Sequence, residues 1–337
     1  MDLRDVTVVI LSRGREAELS KTLEFWSQFD ISVLVLHNTE KPLESAISMP
    51  KLKYVVAKVP YGERCGLVAK YLKTEYAVLC SDDEVYLPSA LMEMKCLLDE
   101  ELELKSVGAL TVAVGKYGPS LTGTFTYSGM RGYFNLENSP ITRLNHHFNQ
   151  DNGYRNGAIY RLMRKDLMIS TMNLFSQLAQ FSTPYIYEVS GEIFVNAFGK
   201  SKYIETVYWL RNWINSPVGH KNWNRKLYFK DWVVQDQYRM QYSSWRAIMQ
   251  SAVGLAAADF YVNLSTIVRL RTNSEEHEIA KDKVRRCALP ESLKWILRKV
   301  LNPKSLPKGL SQTLNDIEKS GVKVNRLEID KGLKAIS

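Results

Sequence analysis

Short runs of aliphatic and β-branched residues alternate with segments of helical apolar spacing along the first part of the chain. The runs are Val6 to Leu11, Ser32 to His37, Lys53 to Lys58, Tyr76 to Cys80 and Val107 to Ala113, each with the length and composition of a buried strand. Between them, Glu16 to Gln28, Glu63 to Lys73 and Pro88 to Leu104 carry helical periodicity, the last with proline in its first turn, where a missing N–H costs nothing. Apolar strands separated by helices predict an α/β fold whose mostly parallel sheet is covered on both faces.

From Gly115 to Gly157 the pattern gives way to Gly, Ser, Thr, Asn and aromatic residues, which predicts one long loop of the kind that carries function. A strand at Ala158 to Leu162, helices at Asp166 to Gln180 and Tyr187 to Phe198, and a strand at Tyr203 to Leu210 then close the α/β domain. The division expected is a catalytic domain over 1–225 and a helical, basic extension over 226–337. Within the extension, Tyr228 to Val262 has helical spacing with many aromatics, and Lys281 to Leu310 holds nine basic and two acidic side chains. No internal repeat or low-complexity tract interrupts the chain.

Charge changes the picture by pointing to an anionic partner: 45 Lys and Arg against 36 Asp and Glu give +9 over 337 residues. Cys65, Cys80, Cys96 and Cys287 lie far apart without metal-site spacing, as expected of a reduced cytosolic chain. No signal-peptide pattern opens the sequence, and no apolar run approaches the ~20 residues that span a bilayer. The expected location is therefore cytoplasmic, with any membrane met at its surface. Leu293, Ile296, Leu297 and Val300 fall on one helical face among lysines and arginines, a pattern shared by helices that lie on anionic membranes and by helices packed on their own domain.

Chemistry concentrates where the strand Tyr76 to Cys80 ends in Ser81-Asp82-Asp83-Glu84. Acids delivered to the carboxyl edge of a parallel sheet stand where such sheets bind ligands. Adjacent carboxylates repel unless a cation joins them, and hard divalent ions bridge carboxylate to diphosphate. Acids at a helix start that favour its dipole account for the same residues equally well.

The order of these elements resembles the GT-A glycosyltransferases, and more closely the family-2-like enzymes of bacterial surface polysaccharides. The likeness covers residues 5 to 210 and is most specific over the first hundred. Val6 to Leu11 matches the first strand, Ser12-Arg13-Gly14-Arg15 the polar turn after it, His37-Asn38 the end of the second strand and Tyr61-Gly62-Glu63-Arg64 the helix start before the acidic strand. Leu79 to Glu84 stands for the family's apolar-then-DxD element, with Ser81 where Asp is usual.

The resemblance implies a Rossmann-like GT-A sheet and transfer of a sugar from a nucleotide-sugar donor to a growing glycan of O-antigen or capsule type. It also implies a lipid-linked acceptor at the inner face of the membrane and a Mn or Mg ion on the donor diphosphate. Asp83 is the metal ligand expected, with Glu84 and the loop residue His220 as further ligands. Donor contacts are expected from Leu11, Ser12, Arg13, Asn38, Gly62, Arg64 and Asp82. Glu192, or Glu188 one turn before it, is the carboxylate expected to take the acceptor's proton in an inverting transfer. Arg131, Arg155 and Arg161 are candidate diphosphate braces, and His146 and His147 candidate acceptor contacts; for each, a solvated or packed side chain is the plainer reading.

Two other functions fit the same composition. A nucleotidyltransferase would also place acids on a metal and diphosphate, but no Gly-rich basic signature follows the first strand. A nucleic-acid-binding protein would interleave basic and aromatic residues on one platform, whereas here the charge gathers in the tail. Nucleic acid is thus not expected as a partner. A P-loop kinase is excluded by the lack of GxxxxGK[ST].

Overall fold

The computed structural model describes residues 2–40, 43, 49–117, 119–148, 157–214, 227–255, 264–273 and 308–336. Its ten strands are β1 (Leu3–Ser12), β2 (Ile31–His37), β3 (Leu52–Val56), β4 (Tyr76–Cys80), β5 (Val85–Tyr86), β6 (Leu104–Tyr117), β7 (Ser120–Thr126), β8 (Phe134–Asn135), β9 (Leu162–Arg164) and β10 (Lys200–Asn212). The helices that position the site are α1 (Glu16–Trp26), α2 (Tyr61–Tyr71), α3 (Pro88–Glu100), α4 (Pro140–Phe148), α5 (Lys165–Gln177) and α6 (Tyr185–Phe198). After them come α7 (Phe229–Val234), α8 (Arg239–Val253), α9 (Leu310–Lys319) and α10 (Arg326–Ile336), and residues 264–273 are also helical.

All strands join one sheet, whose main path runs β3-β2-β1-β4-β9-β6-β10-β5. β1 pairs in parallel with β2 and β4, β2 with β3, and β6 with β10, while β9 lies antiparallel between β4 and β6. The α/β class and the mostly parallel sheet are therefore as expected. The chain order turns back at β1, which has β2 on one side and β4 on the other; that crevice is where open α/β sheets take ligands.

Side chains of β1, β2 and β4 alternate between two cores because both sheet faces are covered. Val8, Ile10, Val35 and Val78 pack toward α1 and α3, whereas Val9, Leu34 and Leu36 pack toward α2, α5 and α6. All seven are at most 2% exposed, and each such side chain contributes roughly 1.5–3 kcal/mol by leaving water.

One expectation is corrected here. The stretch from Gly115 to Gly157 is not one loop: it continues β6, turns back as β7 in an antiparallel hairpin, and includes β8 and α4. Its Ser, Thr and Gly residues hide the strand because β7 is a half-exposed edge partner of β6. Among the described residues after 226, several side chains join the two cores of the sheet. Leu310, Leu314, Ile317, Ile329 and Ile336 complete the core under α1 and α3, and Phe229, Trp232, Trp245 and Met249 complete the one around α6.

Candidate functional site

The register of the parallel strands assembles the site. Ser12 lies opposite His37 at the ends of β1 and β2, and Ile10 opposite Cys80 in β1 and β4, so the chain beyond Cys80 comes level with Ser12. Ser12 Oγ donates to Asp82 Oδ2 at 2.7 Å, with both residues buried. Thr22 Oγ1 of α1 donates to the Asp82 carbonyl at 2.9 Å, which fixes the acidic turn against the helix.

The three acids then diverge. Arg15 Nη1 lies 3.2 Å from Asp82 Oδ1 and 2.6 Å from Asp83 Oδ2. Glu84 turns to the other side, where its Oε2 accepts from Trp209 Nε1 at 2.9 Å and its Oε1 faces Arg211 Nε at 3.8 Å. Burial raises all three carboxyls: Asp82 above its usual range, Asp83 to about 6 against the pull of Arg15, and Glu84 to about 7 against that of Arg211. Arg15 and Arg211 are thus the cations of this edge, and neither was singled out as a site residue in the sequence.

Among the expected donor contacts, Leu11 is half-buried, Arg13 is exposed, and Asn38 is half-buried with its N–H on the Ser12 carbonyl and its Nδ2 on the Val59 carbonyl at 3.1 Å. Arg64 departs from expectation. It is 2% exposed, and its Nη1 donates to the backbone carbonyls of Ser12 and, at 3.3 Å, of Leu36. It stitches the carboxyl ends of β1 and β2 from below, with no exposed face for a donor. Gly62 departs too: a Cβ there would stand 2.7 Å from Ala179 Cβ and 2.8 Å from the Phe175 carbonyl, so the glycine serves the packing of α2 on α5.

Across the acids lies an aromatic wall. The Trp209 ring centroid is 4.6 Å from Tyr160 and 6.1 Å from Tyr127, and the Arg211 guanidinium sits 5.4 Å above Trp209 and donates to Tyr127 Oη. Tyr127 holds φ at 54°, a left-handed value that a bulky residue adopts at the cost of roughly 1–3 kcal/mol and that aims its ring at Arg211. Glu188 stands within electrostatic reach of Tyr127, Tyr160 and Arg211. Its side chain is 41% exposed, with Arg271 at 3.4 Å on one oxygen.

Glu192, expected as the base ahead of Glu188, is placed differently. It is 1% exposed; its Oε1 accepts the backbone N–H groups of Gly157 and, at 2.6 Å, of Ala158, and its Oε2 lies 3.2 Å from His147 Nε2. This is a carboxylate capping the short 3₁₀ turn at Ala158–Tyr160 from within the core, with neither oxygen open to an acceptor. His147 bonds Tyr133 Oη at 2.8 Å and is buried with it, while His146 faces Glu137 at 3.8 Å; neither reaches the acids.

Arg161 is buried, donating to Asn196 and Ser201 between the Tyr133 and Tyr203 rings, and Arg131 pairs with Glu205 at 2.9 Å. Both are structural where the sequence offered them to a diphosphate. His220, Arg155 and the helical face of Leu293, Ile296, Leu297 and Val300 lie outside the described residues.

A cleft of about 170 Å³ opens beside Asp83, lined by Ala17, Glu18, Lys21, Asn212, Ala335 and Ile336. The end of α10 therefore forms one wall of this edge, held by Asn212 Nδ2 on the Ile336 carbonyl at 3.1 Å. A larger cavity, about 540 Å³, lies between β7 and α9, but its cations Lys308 and Arg131 are paired with Asp316 and Glu205, and it brings no unusual acid or base together.

The divalent ion that the GT-A resemblance implies does not fit these residues as they stand. A hard cation needs several oxygens converging at 2.0–2.6 Å. Here Asp82 and Asp83 converge on a guanidinium instead, and Glu84 faces away; among the described residues no group of three or more His, Cys, Asp and Glu side chains is arranged to hold a metal. Also among the described residues, no helix is long and apolar enough to cross a membrane.

No protein-family model and no curated protein matches the chain. Among solved structures, two crystal structures of S. aureus TarS are similar to it. One aligns at 11% identity and a TM-score of 0.44, covering 74% of this chain and 42% of that one, so the chain spans less than half of that protein's length. The other, of TarS residues 1–349, aligns at 10% identity and a TM-score of 0.44, covering 82% of this chain and 91% of that one. Likeness this faint says nothing by itself of what this chain binds.

Proposed function

We propose that the chain is a glycosyltransferase that moves a sugar from a nucleotide-sugar donor onto a growing surface glycan, with inversion at the anomeric carbon. The observation that carries this reading is the convergence, at the β1/β4 crevice, of Ser12, Asn38 and the Asp82-Asp83 pair on one side with Trp209, Tyr160, Tyr127 and Glu188 on the other. The first group suits a nucleotide and its ribose, because carboxylates and amides bind hydroxyls and base edges. The second offers the apolar ring faces on which sugars stack, with an accessible carboxylate beside them.

In this reading Glu188 takes the proton of the acceptor hydroxyl as its oxygen bonds to the anomeric carbon. The bond from that carbon to the donor's diphosphate breaks, and the nucleoside diphosphate departs with the electron pair. Leu11, half-buried, and Arg13, exposed, are the further donor contacts of this reading. A lipid-linked acceptor and an anionic membrane surface, met through the basic residues between Lys281 and Leu310, remain part of the proposal on the strength of the sequence.

A thermal-shift panel of UDP-, GDP-, CMP- and dTDP-sugars tests it, since a ligand of the native state raises Tm by mass action. One nucleotide should stabilise the wild type and not Asp82→Ala. If none of the four moves Tm, the donor site is refuted.

A further inference from the structure

We infer that Arg15 holds the place of a divalent cation at this strand end, so that the free protein joins Asp82 and Asp83 with its own guanidinium and takes up neither manganese nor magnesium there. The two carboxylates point at one centre, and that centre is Nη1 of Arg15, 2.6 Å from one and 3.2 Å from the other. A divalent ion cannot share the position: placed a few ångströms from a guanidinium, it is repelled by it more strongly than one unit charge by another. It must first break both ion pairs of a side chain that is only 24% exposed.

Three further features keep Arg15 ahead in that competition. It is tethered three residues beyond Ser12, whose hydroxyl already binds Asp82, so the cation is supplied at a high effective concentration that a free ion must exceed. Thr22 holds the Asp82 carbonyl from α1, the helix that Arg15 leads into, so the acids and the arginine are fixed to one frame. The third carboxylate is committed elsewhere, since Glu84 is bonded to Trp209 and faces Arg211. Two carboxylates against one guanidinium leave a single negative charge, too little to hold a hydrated dication against that tethered competitor.

The consequence, which alone rests on the donor reading above, is that the donor's diphosphate is met by protein cations. Arg13, exposed on the same turn, and Arg15 are the groups in place.

Manganese chloride titrated into the protein, with free ion followed by electron paramagnetic resonance, tests the inference without donor or activity. The readout is the Asp83-dependent binding, the difference between a protein and its Asp83→Asn counterpart. Wild type should show none up to millimolar ion. Arg15→Gln, confirmed folded by circular dichroism, should gain a site at least tenfold tighter that Asp83→Asn removes. Asp83-dependent binding by the wild type overturns the inference from one unmutated protein, and so does an Arg15→Gln variant that gains nothing. If a nucleotide sugar binds, its thermal shift should survive excess EDTA. If none binds, the donor reading fails while the manganese result still decides the role of Arg15.

Discussion

Arg15 Nη1 stands 2.6 Å from Asp83 Oδ2, and so an arginine of the turn after the first strand pairs with the acids at the end of the fourth. The contact spans the crevice between β1 and β4, and around it the rest of the site is ordered. On one side Ser12 fixes Asp82; on the other Glu84 turns to Trp209 and Arg211.

The Ser12 hydroxyl is the shortest link between β1 and the acidic turn. Ser12→Ala leaves Asp82 Oδ2 buried with one donor fewer, a loss of about 1–3 kcal/mol. Urea unfolding should show the midpoint lowered with the slope unchanged; an unaltered midpoint would mean that the bond is absent in solution.

α10 reaches the site because Gly332 lets it lie flat on the sheet. A Cβ there would meet Leu210 Cδ1 at 2.7 Å and Val85 Cγ2 at 2.9 Å. Gly332→Ala should cost about 1–3 kcal/mol through overpacking. Limited proteolysis should then cut the C-terminal helices faster than in the wild type; equal rates would place α10 off the sheet.

Glu188 and Glu192 lie one turn apart on α6 but differ in what surrounds them. Glu188→Gln should lower transfer about 10²- to 10⁴-fold, as removal of a general base does, with Tm almost unchanged. Glu192→Gln should instead lower Tm, because a charge-assisted cap of the turn at Ala158 is lost. The reverse pattern in paired assays of rate and Tm would exchange the two roles.

The acid edge sets a pH dependence of stability. Asp83 titrates near 3.8 when unfolded and at about 6 when folded; for Glu84 the values are 4.5 and about 7. Between those values the folded protein binds more protons than the unfolded chain, so these two groups make stability fall as pH rises from about 4 to about 7. The double variant Asp83→Asn/Glu84→Gln removes both. Urea midpoints at pH 4.5 and 7.5 should drop further for wild type than for the variant, and equal drops would contradict the buried placement.

Much of the sheet was legible because burial leaves a plain trace. Tyr76 to Cys80 reads as a strand from five apolar residues in a row, and the acids after it mark the carboxyl edge. The strand expected at Ala158 to Leu162 is displaced: Ala158–Tyr160 forms a 3₁₀ turn and β9 begins only at Leu162, since three residues inserted antiparallel carry no period. The partners of Arg64 and Glu192 were not legible for a shared reason: a charged residue at a helix start suits a ligand as well as a backbone carbonyl or N–H, and only tertiary packing shows which it meets. Arg15 escaped notice because its partners lie 67 and 68 positions away, a separation that no local pattern spans.

The measurement closest to the central claim is hydrogen exchange by mass spectrometry, with and without the nucleotide sugar that gives the largest thermal shift. Protection should appear in peptides covering 11–15, 37–40 and 81–84, where β1, β2 and β4 end. Protection confined to 123–131 and 313–320, around the larger cavity, would contradict the claim and move the ligand to the cavity between β7 and α9.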